Sequence, residues 1–142
     1  MGFSERWGAF RKPDGSLVWR PVLRVVLPGD RGWERYRFLV DSGADLSVAS
    51  RRTCDAMGKC WEDGVERVLT GLAQKEECRV VSRIHAVRLP LPQLGMAIEL
   101  PMAFAEGHAP LLLGREGFFE YFRVTFDRPA LTTQFEFVGQ LQ

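Results

Sequence analysis

Phe38-Leu39-Val40-Asp41-Ser42-Gly43-Ala44-Asp45 is a short apolar run that stops at an acid followed by the smallest residues available. A continuous apolar run before a turn reads as a buried strand. Asp41 is therefore delivered by a strand leaving the core into a tight turn. There Gly43 is free to take a backbone conformation closed to other residues, and Ala44 leaves room for an approaching group. Burial disfavours the charged form of a carboxylate, so hydrogen bonds from Ser42 or from amides of the turn are expected to stabilise it. Taken alone, Asp-Ser-Gly fits an ordinary strand-closing turn equally well.

Downstream, Pro110-Leu111-Leu112-Leu113-Gly114-Arg115-Glu116 repeats the design, with an apolar run, a glycine, then a charged residue opening a helix. Together the two stretches resemble the retropepsin-like aspartic proteases, single-domain relatives of the pepsin family. In that family the acid of Asp-(Thr/Ser)-Gly-Ala is catalytic and an apolar-apolar-Gly-Arg segment packs beneath it. Leu17-Val18-Trp19-Arg20-Pro21-Val22-Leu23 is similar to the strand region that opens the retroviral enzymes, and the family's order of elements continues to about Asp127. Ser42 stands where many members carry Thr, which keeps the hydroxyl and loses a methyl.

The resemblance implies an all-β fold, a closed barrel or sandwich with a flap hairpin and one or two short helices, assembled as a dimer. Residues 1–16 then form an N-terminal arm ahead of a protease domain over 17–142. Peptide hydrolysis by carboxylates needs two of them facing one water, one ionised and the other protonated. Asp14-Gly15 and Asp63-Gly64 lack the preceding apolar strand, so the chain offers a single such acid. A homodimer on a twofold axis brings Asp41 to its own copy, with no metal, cofactor or covalent intermediate. By resemblance Ser42 and Gly43 support the turn, with Ser42 bonding across the axis or locally within its own turn. Ala44 and Asp45 lie along the substrate backbone, Arg115 after Gly114 pairs with Asp45, and Arg20 reaches it from the other subunit. The flap tip falls at Thr70-Gly71-Leu72-Ala73, with Gly71 as hinge or tip and Gly64 as a competitor. A solvent-exposed turn without a substrate role is the plain alternative there.

The chain has 142 residues, 46% of them hydrophobic, enough for one core and one domain. A formal net charge of +1 without a basic stripe gives no case for nucleic acid or a membrane surface. Residues 1–16 lack the apolar core of a secretory signal and no later stretch is long enough to span a bilayer, so a soluble cytoplasmic protein is expected. Cys54, Cys60 and Cys78 are an odd number without metal-ligand spacing, and neither His85 nor His108 stands in local relation to them; reduced thiols are expected.

In order, Pro13-Asp14-Gly15 marks a first hairpin, and Pro28 to Gly32 turns a second that feeds Asp41. Pro21 places its part of the strand at an edge or bulge. Leu46 to Ala49 reads as a strand and Ser50 as the cap of a helix that Gly58 ends. Trp61 to Leu69 and Cys78 to Leu89 make the flap hairpin. Pro90 and Pro92 break the chain before a strand over Leu94 to Phe104 that Pro101 interrupts. Arg115 to Phe122 has helical spacing, with Phe118, Phe119 and Phe122 turned to the core. Arg123 to Asp127 and Leu131 to Val138 close the chain as strands. The terminal one is the candidate seam between copies or an edge strand within one.

Two functional classes follow. One is a dimeric aspartic endopeptidase acting on an extended peptide, with a groove suited to apolar side chains. The other is a catalytically silent dimer of the same fold that binds peptides. The intact Asp41-Ser42-Gly43-Ala44 turn favours the first.

Overall fold

The computed structural model describes residues 1–70 and 79–139. Twelve strands carry the chain: β1 (Gly2–Arg6), β2 (Gly8–Arg11), β3 (Leu17–Arg20), β4 (Val22–Gly29), β5 (Gly32–Val40) and β6 (Ser47–Ser50), then β7 (Val65–Leu69), β8 (Val80–Leu91), β9 (Met96–Ala105), β10 (Leu112–Leu113), β11 (Phe122–Asp127) and β12 (Thr132–Phe137). One short helix, α1 (Arg51–Ala56), follows β6. The fold is thus largely β, as the sequence leads one to expect. A seven-stranded sheet runs in the order β4-β5-β10-β6-β9-β8-β7, a three-stranded sheet in the order β1-β12-β11, and β2 and β3 form a separate hairpin. No ladder joins β4 to β7 among the described residues.

Local chemistry accounts for the elements that surround Asp41. The apolar run ends as read, with Phe38 and Val40 buried on β5. The β4–β5 hairpin turns between Gly29 and Gly32, and the Pro-Asp-Gly turn joins β2 to β3 with Gly15 at φ +88°. Pro21 falls between β3 and β4, outside any ladder, and lends only its carbonyl to Val40. The side chain of Ser50 caps α1 by accepting from the Thr53 amide, and Gly58 at φ +75° follows its end.

Three expectations are corrected. Pro90 and Pro101 lie inside β8 and β9, and the break between those strands is the single turn Pro92–Leu94, closed by Gly95 at φ +64°. β7 pairs with β8 only as far as Ile84, and β6 pairs with β9 only from Met102 on. Both prolines therefore occupy stretches with a single neighbouring strand, where a missing donor is tolerated. The helix foreseen after Gly114 is instead a wide turn over Arg115–Phe119, because Glu116 is extended and Gly117 has φ +87°. Its aromatic residues still reach the core, with Phe118 stacked on Phe122 at 5.0 Å and edge-on to Phe135.

The third correction concerns β12, which is neither an edge nor a free seam. It is paired with β1 on one side and β11 on the other. Residues 1–16 supply that partner and fasten it. The indole of the buried Trp7 donates to Thr133 Oγ1 at 2.9 Å, and Arg24 pairs with Glu5 at 3.1 Å while also donating to the Arg6 carbonyl. Phe3, Phe122 and Phe135 then join the three-stranded sheet to the common core.

Candidate active site

The turn after β5 is braced by the strand that the second motif supplies. β10 runs parallel to β5 and antiparallel to β6, so the Leu-Leu-Leu segment threads between the strands on either side of the turn. The amide of Asp41 donates to the Leu113 carbonyl at 3.0 Å. Past the glycine, the amides of Arg115 and Glu116 donate to the carbonyls of Ala44 and Asp45 at 2.9 and 2.8 Å. The buried Ser47 hydroxyl accepts from the Gly114 amide at 3.1 Å. Sequence reading missed Ser47; a lone polar residue within an apolar strand was the available signal.

This arrangement explains both glycines. A Cβ on Gly114 would strike the Leu46 carbonyl and stand 2.9 Å from the Ala44 carbonyl oxygen, and both are backbone. The motif needs glycine there for space. Gly43 is a correction: it does not have a positive φ. Its amide donates to Asp41 Oδ1 at 2.9 Å, and a Cβ would sit 3.2 Å from that same oxygen, so closeness to the carboxylate is what favours glycine.

Asp41 is half-buried and its carboxylate is held by the Gly43 amide, while Ser42 is exposed and makes no side-chain hydrogen bond among the described residues. The local alternative for Ser42 is thus not what the chain adopts. Arg115 pairs with Asp45 as the motif implies. Both side chains are more than half exposed, a setting in which ion pairs contribute about 0–1 kcal/mol, so this pair adds little to stability. Arg20 lies over the Phe10 ring at 5.3 Å and forms no ion pair among the described residues. Gly64 is no hairpin tip: it precedes β7, packed against His85.

An open cleft of about 370 Å³ runs from this turn to the β7–β8 hairpin. Asp41, Gly43, Ala44 and Asp45 form one side and Leu46, Val48 and Leu112 an apolar wall, while β7 and its continuation add Arg67, Val68, Leu69 and Thr70. A groove suited to apolar side chains was expected, but not that Leu46, Val48 and Leu112 line it, nor Arg67, which the alternation of Arg67 and Leu69 beside the expected tip could have marked. Gly71, Leu72 and Ala73 lie outside the described residues.

A second correction concerns the cysteines. Cys54 Sγ is 3.8 Å from His85 Nε2, although nothing in their spacing relates them. The thiol is fully buried and burial pushes its pKa up, the opposite of what a nucleophile needs. No cluster of three or more metal-ligating side chains occurs among the described residues. No helix there is long and apolar enough to cross a membrane.

No protein-family model matches the chain, and no curated protein does. A solved structure does: a retropepsin-like aspartic protease from Rickettsia conorii, with a TM-score of 0.56 over 95% of this chain and 94% of that one, at 13% identity. The resemblance that the two motifs announce is therefore matched over nearly the whole length, and the chain has the fold of a retropepsin-like aspartic protease.

Proposed function

We propose that this chain is an aspartic endopeptidase whose catalytic centre is completed by a second copy of itself. The observation that carries the reading is the position of Asp41: half-buried, held by the Gly43 amide, and lining an open cleft of about 370 Å³. One carboxylate takes a proton from water while its counterpart, protonated, donates to the scissile carbonyl. The water oxygen bonds to the carbonyl carbon, and the tetrahedral diol collapses as a proton passes to the leaving nitrogen. Two like charges held close share one proton and titrate as a pair, so a second Asp41 supplies the acid that one chain lacks.

Asp45, held by Arg115, presents its free oxygen to the substrate main chain, Ala44 leaves space beside it, and Thr70 lines the same cleft. Ser42, exposed and unbonded, is available to the other copy's turn, and Arg20 to its Asp45. Leu46, Val48 and Leu112 receive apolar side chains. Incubation with a mixed peptide library from acidic to neutral pH, beside the Asp41→Asn variant, tests the assignment. Cleavage by the parent alone is expected; equal cleavage by both removes Asp41 from the chemistry, and binding without cleavage favours the silent peptide-binding dimer.

A further inference from the structure

Among the described residues the cleft holds three charges from its own chain, and two have a use in the proposed chemistry. Asp41 is the proposed proton carrier, and Asp45 is engaged by Arg115. The third is Arg67. On β7 Arg67 stands opposite Ser82, which is fully buried and donates its hydroxyl to the Arg67 carbonyl at 2.6 Å. Glu66, the adjacent acid, takes the other face, where it meets Arg83 at 3.8 Å. Arg67 has no ion-pair partner among the described residues. Neither Asp41 nor Asp45 is within ion-pair distance of it, and Leu46, Val48, Leu69 and Leu112 line the same cleft.

We propose that Arg67 makes this cleft selective for peptides carrying a Glu or Asp side chain close to the scissile bond. A guanidinium offers a planar fork that a carboxylate fills bidentately, and Arg67 is not engaged by either carboxylate of its own cleft. Arg67 and Asp41 line one cleft, so the acidic position lies close to the bond cut. The remaining subsites take apolar side chains. The inference rests on the endopeptidase reading, and its test separates the two.

Peptides sharing one apolar cleavage core, with Glu moved through the positions on either side of the bond and each paired with its Gln counterpart, are assayed for kcat/KM. At one position Glu is expected to exceed Gln by about tenfold, the effect of one partly exposed charge-assisted contact. Arg67→Ala levels that pair, and Arg67→Glu turns the preference toward Lys, a rescue that a misfolded variant could not show. Binding of the same peptides to the Asp41→Asn protein, read by fluorescence anisotropy, reports the preference without turnover. Cleavage with Glu and Gln equal at every position overturns the role of Arg67 and leaves the endopeptidase standing. Glu-selective binding that Arg67→Ala erases, with no cleavage by the parent, sinks the enzyme and retains the acidic-peptide groove.

Discussion

Ser47 and Gly114 show how little latitude the turn after β5 has. Ser47→Ala leaves the Gly114 amide buried without its acceptor, which should lower stability by about 1–3 kcal/mol in a urea titration. Gly114→Ala should cost more than Ser47→Ala, since the added methyl meets backbone carbonyls on both sides rather than a side chain that can turn away. A Gly114→Ala protein as stable as the parent would mean that the turn does not pack on this segment. Cys54 allows a pH prediction. Its pKa is raised chiefly by burial, so the folded chain holds the proton more tightly than the unfolded one, and the Tyr36 hydroxyl is shifted the same way, also chiefly by burial. Stability from both groups is present below their ordinary values and is lost as pH rises through the thiol and phenol range. The urea midpoint should fall on passing from pH 8 to 10.5, less in a Cys54→Ala, Tyr36→Phe double variant measured against its own pH 8 value. Iodoacetamide at pH 8 should label the exposed Cys60 and spare Cys54, as peptide mass mapping would show.

At the scale of elements, β1 is the piece whose removal should matter most. It covers one edge of β12 and brings Trp7 to Thr133. Deleting residues 1–7 uncovers a strand edge rich in pairing groups, so the shortened chain should lose solubility or melt at a lower temperature, and unchanged melting would contradict the assigned role. Much of this level was legible beforehand. The run into Asp41, the turns at Pro-Asp-Gly and Pro28–Gly32, and the Ser50 cap are local matters, written in adjacent residues. What escaped depended on partners distant in sequence. Pro90 and Pro101 read as breaks because nothing nearby reveals that their strands have one neighbour there. The Phe118, Phe119 and Phe122 spacing read as a helix because the extended Glu116 and the positive φ of Gly117 leave the apolar periodicity untouched. β12 read as an edge because its partner is the other end of the chain.

For the whole molecule, the two motifs, far apart in sequence, meet with β10 laid between the strands that flank the acid turn. Sequence announced that meeting only through resemblance; the hydrogen bonds from Arg115 and Glu116 to the turn supply its cause. Ser47 stayed hidden because it acts through Gly114, a partner that no spacing rule names. The central claim is that one chain holds half of an acid centre. Its most direct test mixes parent and Asp41→Asn chains, allows subunits to exchange, and measures peptide cleavage against the parent fraction at constant total protein. If both carboxylates of a pair must come from parent chains, activity follows the square of that fraction and falls to about one quarter at equal mixing. A fall in simple proportion to the parent fraction would mean that each chain works alone and would contradict the account.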